Sequence, residues 1–167
     1  MRARSRLLLT GLFGFMSLAA ASSAWADLIF MHIPGVTGSS TTTGFVGDIP
    51  MLAYSQGFSN NGPSSTPQCS DISFTRSIDV TSQYFSRRVL EEAGPFTATI
   101  YFVNSSTLIA DTTITLHNVL VTSIQHSGAS GSGSVSESVS MYATSQTVTF
   151  TSGGTTNSYN ATCAASP

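Results

Sequence analysis

The stretch Ile72-Ser73-Phe74-Thr75-Arg76-Ser77-Ile78 alternates apolar and polar side chains, which predicts a half-buried β-strand. After this strand the apolar residues Phe85, Val89 and Ala93 are four positions apart. This spacing predicts a short helix with one apolar stripe. Thr81 or Ser82 can cap this helix, and Gly94-Pro95 can end it. No other segment of residues 27–167 has a clear helical spacing. The sequence therefore predicts one helix in this range, directly after the strand.

Threonine and serine alternate with isoleucine, valine, phenylalanine and tyrosine through most of the remaining chain. This alternation favours β-strands over a low-complexity Ser/Thr-rich stalk. Further strands are predicted in these ranges: 28–33, 48–58, 97–103, 108–111, 112–126, 135–150 and 159–163. Within 135–150 the apolar residues change from odd to even positions after Ala143, which predicts a bulge or bend.

Several strands and one helix predict a mainly β fold, a closed or nearly closed β-barrel with one short α-helix on its side. A sandwich of two sheets fits the same pattern almost as well. The segment after removal of a predicted leader, 27–167, is long enough for one such domain with its own hydrophobic core.

The first 26 residues have the pattern of a secretory signal peptide. Three arginines precede an apolar run over residues 7–21, and Ala24-Trp25-Ala26 supplies the small-x-small cleavage motif. The apolar run is short for a membrane span, although a retained anchor is the alternative. We therefore predict a signal peptide at 1–26, a mature chain that starts at Asp27 without a membrane segment, and export to the periplasm or the extracellular space.

Charge excludes several classes of partner. The chain has no lysine, and three of its six arginines lie in the predicted signal peptide, which leaves three arginines against eight carboxylates and a net charge of −5. A basic nucleic-acid footprint is therefore missing, and so is the positive charge that binds anionic lipid surfaces.

Cys69 and Cys163 are the two cysteines of the chain. An even count in an exported protein predicts one disulfide between them, and two free buried thiols are the alternative. A metal site is not indicated, because two separated cysteines lack the CxxC spacing of zinc sites.

The residues do not indicate a catalytic site or a cofactor site. His32, His117 and His126 have no zinc-like partner at i+3 or i+4, and no G-x-S-x-G elbow is present. A phosphate-binding loop of the Walker type needs a lysine, which the chain lacks. We therefore expect no catalytic residues, no cofactor and no metal.

Five segments, in this order, resemble the haemolysin-coregulated protein (Hcp) family, which builds the tube of bacterial type VI secretion. The most specific is Glu137-Ser138-Val139-Ser140-Met141, which is similar to the family's Glu-Ser-Val-Ser-Leu stretch. The other four are FMHIPGVTGSS (30–40), GDIPMLAYSQG (47–57), FTRSID and the helix after it (74–94), and TLHNVLVTSI (115–124). The chain departs from the family at three places. Family members usually have a lysine in the first strand, where this chain has His32, and two tryptophans in the second strand, where it has Tyr54 and Gln56. They also usually have a proline early in the helix, where it has Gln83.

The resemblance implies a β-barrel subunit that forms hexameric rings without an active site. In the family these rings stack into a tube that carries effectors, so the implied partners are further copies of the chain, a secretion spike protein and effector cargo. Two other functions stay open on the sequence. One is a periplasmic or extracellular β-barrel binding module without tube assembly, and the other is a hydrolase in which His117 or His126 meets a serine and an aspartate.

Overall fold

The computed structural model of this protein describes residues 27–60, 62, 67–91, 93–131, 135–152 and 154–163. The predicted signal peptide at 1–26 lies outside the described residues. Within them the chain forms one helix and ten strands: β1 (Leu28–His32), β2 (Ile49–Met51), β3 (Ala53–Ser55), β4 (Phe58–Ser59), β5 (Gln68–Cys69), β6 (Ile72–Ser77), α1 (Ser82–Leu90), β7 (Phe96–Asn104), β8 (Ile109–Gly128), β9 (Val135–Ser152) and β10 (Thr155–Thr162).

Eight of these strands form one antiparallel sheet that closes on itself. The strand order is β2-β1-β7-β8-β9-β6-β3, and β10 adds to β9. The first and last strands of this order are separated by Leu52 alone, whose N–H donates to the Thr75 carbonyl at 2.8 Å. Because β2 pairs with β1 and β3 pairs with β6, one kinked segment closes the barrel. The predicted mainly β barrel with one helix is confirmed, and the sandwich alternative is wrong.

The helix packs its apolar face against the barrel core. Phe85 is fully buried, and its ring centroid lies 5.5 Å from that of Phe74 on β6. Burial of a side chain of this size contributes about 1.5–3 kcal/mol to folding. Thr81 occupies the N-cap position, but its side chain makes no capping hydrogen bond, and the helix ends at Leu90, before Ala93 of the predicted stripe.

The change of phase predicted for the last long strand is present on β9. Up to Ala143 the buried apolar residues Val139 and Met141 are at odd positions, as Ala143 itself is. Beyond it, Gln146 and Val148 are buried at even positions. Facing this point on β8, Asn118 has a φ of 52°, and the register between β7 and β8 shifts here. A bulge on β8 against β7 therefore accompanies the change of buried face on β8 and β9, which stay in register with each other at this point.

The long loop between β1 and β2 folds against the outer face of β1. Phe45 from this loop stacks on Phe30 with ring centroids 4.9 Å apart. A Cβ on Gly38 would come within 2.3 Å of the Asp48 carbonyl oxygen, so the close approach of the two backbones here requires glycine.

Candidate functional site

The outer edge of β10 is an edge of the sheet without a ladder partner among the described residues. β10 pairs with residues 145–152 of β9, its one partner strand in the described part of the chain. Its residues, TTNSYNAT, include no charge and no proline, the features with which native proteins block exposed edges. Three polar contacts hold it to β9: Thr147 to Asn160 (2.7 Å), Thr149 to Ser158 (3.0 Å) and Thr151 to Thr156 (3.3 Å). The other edge of β10 is therefore suited to pairing with a strand of another molecule.

The end of β10 is linked covalently to the small hairpin of β4 and β5. Cys69 at the end of β5 and Cys163 directly after β10 form a disulfide, with Cα atoms 5.4 Å apart. The two cysteines are 94 residues apart in sequence. The bond therefore closes a loop that contains most of the barrel.

A buried ion pair connects β6 and β9. Arg76 and Glu137 are opposite each other in the register, and their side chains are fully buried. Arg76 Nε lies 3.2 Å from Glu137 Oε1, and His126 Nε2 lies 3.2 Å from Glu137 Oε2. Neither contact is aligned as a hydrogen bond, so attraction to the Arg76 guanidinium is the interaction that compensates this buried carboxylate. The sequence analysis did not single out this pair, although both residues are in phase with buried apolar neighbours.

The same guanidinium also organises the turn that precedes the helix. Arg76 donates hydrogen bonds to Thr81 Oγ1 and to the Asp79 carboxylate, and Ser39 Oγ donates to Asp79 Oδ2 at 2.6 Å. Burial alone would raise the pKa of Asp79, but hydrogen bonds from Ser39 and Thr81 and the charge of Arg76 hold it below its usual value. The network ties the long first loop, the helix start and the barrel core together.

We expect the variant Asp79→Asn to lower stability at neutral pH more than in acid. A carboxyl whose pKa is lowered by folding contributes stability above its unfolded pKa, and this contribution is lost as the pH falls through the folded pKa. Urea unfolding at about pH 7 and about pH 3 measures the difference. The control Asp111→Asn removes an exposed carboxylate from β8 and should change stability little at either pH. A cost for Asp79→Asn that is equal at both pH values would contradict this assignment.

The three histidines have different surroundings. His32 Nδ1 lies 2.8 Å from Asp48 Oδ1, a contact between the first strand and the end of its loop that sequence spacing does not reveal. His126 contacts Glu137, and His117 is opposite Ser145 in the register of β8 and β9. Among the described residues, no group of three or more His, Cys, Asp or Glu side chains is arranged to hold a metal ion.

Comparison with protein-family models matches residues 30–152 to the family described as "Type VI secretion system effector, Hcp". The chain belongs to the Hcp family. The match extends from β1 to the end of β9, so the Hcp domain includes the closed barrel and the helix, while β10 and Cys163 lie beyond the matched residues.

Solved Hcp structures share this fold. The chain is similar to Hcp1 from Salmonella typhimurium, with a TM-score of 0.72, 16% identity, and coverage of 80% of this chain and 93% of that one. It is also similar to a type VI secretion system effector from Yersinia pestis, with a TM-score of 0.70, 18% identity, and coverage of 80% and 98%. A third, described as a type six secretion system protein, has a TM-score of 0.71, 20% identity, and coverage of 79% and 90%. Comparison with curated proteins by sequence finds no match.

No helix within the described residues is both long and apolar enough to cross a lipid bilayer.

Proposed function

We propose that this Hcp-family chain is an exported, ring-forming tube subunit of a type VI secretion system. Six copies form a ring, the rings stack, and the assembly carries or accompanies effectors together with a spike protein. The observation that carries the proposal is the uncharged free edge of β10 on an Hcp-family barrel. The function is structural, and we propose no enzymatic activity.

Ring closure follows from the physics of an open strand edge. When one edge of a barrel pairs with a different surface of the next copy, the contact is heterologous, and such contacts close into a ring if the rotation allows it. The predicted mature chain has a net charge of only −5 and no lysine, so repulsion between identical copies is weak. The open edge of β10 and the low net charge both favour assembly. The contact is therefore expected to form through strands and not through the charged helix.

Light scattering of the cleaved, oxidised protein at micromolar concentration tests the ring. We expect the mass of a hexamer for the native chain, and a monomer for Thr156→Lys/Ser158→Lys, because two charges on β10 oppose pairing at its edge. The control Gln83→Lys/Leu90→Lys adds the same charge to exposed positions of α1 and should remain a ring. A native chain that stays monomeric across a wide concentration range would contradict the proposal and favour a binding module.

Export rests on the leader at 1–26, which we propose is cleaved after Ala26. The disulfide supports an oxidising compartment, because such bonds persist in the periplasm and outside the cell. N-terminal sequencing of exported protein should start at Asp27. An intact Met1 terminus in a membrane fraction would instead indicate a retained anchor.

A further inference from the structure

An open groove lies between the segment that leads from β3 to β4 and the pair β9–β10. Its volume is about 320 Å³. Apolar and aromatic side chains form the floor and the walls: Phe102, Ile114 and Val148 below, with Phe58, Phe150 and Tyr159 at the rim. We call this surface the aromatic groove.

The rim of the aromatic groove exposes large rings to solvent. Phe58 is 52% exposed, Phe150 is 47% exposed and Tyr159 is 48% exposed. The rings of Phe150 and Tyr159 are stacked with centroids 6.2 Å apart, so they form one continuous wall. Exposed apolar surface that lines a concavity on a soluble protein marks an interaction site.

A chain of hydrogen bonds runs from the groove into the barrel. Tyr54 Oη donates to Gln56 Oε1 at 2.8 Å, and Gln56 Nε2 donates to Gln146 Oε1 at 2.9 Å. Burial, with a smaller contribution from Tyr159, raises the pKa of Tyr54, which keeps its hydroxyl a donor. Gln146 is 1% exposed, and among the described residues its Nε2 has no hydrogen-bond partner. A buried amide donor without an acceptor is unfavourable, so this chain of hydrogen bonds ends in an unused donor behind Gln56.

Charge and covalent structure restrict what the aromatic groove can accept. Among the described residues, no Asp, Glu, Lys or Arg lines it, so an ionic ligand would lose its hydration without gaining a counter-charge from them. Phe58 on one wall is paired with Cys69, and β10 on the other wall leads to Cys163, so the disulfide holds both walls together. A groove of fixed width and neutral lining suits a small, uncharged, planar molecule.

We propose that the aromatic groove binds a small uncharged ligand that carries an aromatic ring and a hydrogen-bond acceptor. The ring stacks between the Phe58 wall and the Phe150–Tyr159 wall, and the acceptor is directed toward the amide of Gln56, which its hydrogen bond to Gln146 holds in place from behind. This proposal does not depend on ring assembly.

The cleft beside α1 is a weaker candidate, because its charged groups already have partners. Arg87 pairs with Glu91 at 2.9 Å, and the guanidinium of Arg88 lies 4.8 Å from the Tyr84 ring centroid. An anion bound there would have to displace these contacts.

Titration with prodan, an uncharged naphthalene that carries a ketone, tests the proposal by fluorescence. We expect saturable binding at one site per chain with a blue-shifted emission. The variant Gln56→Trp places an indole in the groove and should weaken binding at least tenfold. The control Leu90→Ser removes an exposed apolar side chain on α1 and should leave binding unchanged. Equal binding by Gln56→Trp and the native chain, or an equal loss in Leu90→Ser, would overturn the proposal.

Further variants keep the test valid if Gln56→Trp folds poorly. Tyr159→Thr removes a half-exposed rim ring without touching the core, and we expect about fivefold weaker prodan binding. Gln146→Leu removes the acceptor that positions the Gln56 amide. It should weaken prodan binding about fivefold but leave the binding of N-phenyl-1-naphthylamine, which lacks the carbonyl, unchanged. Binding seen only in the monomeric Thr156→Lys/Ser158→Lys variant would overturn the proposal, because it would place a neighbouring subunit in the groove.

Discussion

Replacement of Arg76 by alanine is expected to lower the free energy of unfolding by about 3–5 kcal/mol. The guanidinium is fully buried, it faces the buried carboxylate of Glu137, and it holds Asp79 at the start of the helix. Its removal leaves the buried carboxyl group of Glu137 without its principal counter-charge. A loss of this size is a large part of the total stability of a domain of this length.

Urea unfolding followed by circular dichroism measures this effect, with two controls. The double variant Arg76→Met/Glu137→Leu replaces both charges with apolar groups of similar size, and it should be clearly more stable than Arg76→Ala, because no buried charge is left alone. Arg87→Ala removes an exposed guanidinium from the Arg87–Glu91 pair and should cause little change. If Arg76→Ala were as stable as Arg87→Ala, the buried pair would not stabilise the barrel.

Reduction of the Cys69–Cys163 disulfide is expected to lower stability by up to about 4–5 kcal/mol. The bond joins residues 94 apart, and closure of a loop of this length removes much conformational entropy from the unfolded chain. Because the effect acts on the unfolded state, Cys69→Ser, Cys163→Ser and the double variant should lose similar amounts.

The measurement compares urea unfolding of the oxidised and reduced protein, after non-reducing mass mapping of the native chain has shown the linked peptides. Two thiols that are freely alkylated after careful quenching would contradict the bond itself. Equal stability of the two forms, with the bond present, would contradict the entropic effect assigned to it.

Local patterns in the sequence predict much of this fold. The alternation over 72–78 and the spacing of Phe85 and Val89 indicate β6 and α1, and the change of phase after Ala143 indicates the change of buried face on β9. Closure of the barrel at Leu52 is not predictable in this way. Residues 48–58 have the composition of one strand, and only pairing with two distant strands splits them into β2 and β3.

The site is less predictable than the fold, because it is built from contacts between distant residues. Arg76 stands in the alternation at a position that should face the core, and Glu137 is in phase with Val139 and Met141 on β9. The phase of Arg76 and Glu137 with these apolar residues is the sequence feature that predicts burial of both charged side chains. Their pairing, and the contact of His32 with Asp48, depend on registers that only the folded chain defines.

The strand order also has a consequence for the time course of folding. Strands β7 to β10 are neighbours in the sheet in the order in which they occur in the chain, so short connections are enough for them to pair. In contrast, β1 pairs with β7 and β6 pairs with β9, so neither can pair until a strand much later in the chain has been made. Pairing over long sequence separations is slow. During synthesis the N-terminal half therefore has no complete sheet to join until the C-terminal half emerges. We expect the nascent chain to stay unfolded until late, which is the state that export through the leader proposed at 1–26 would require.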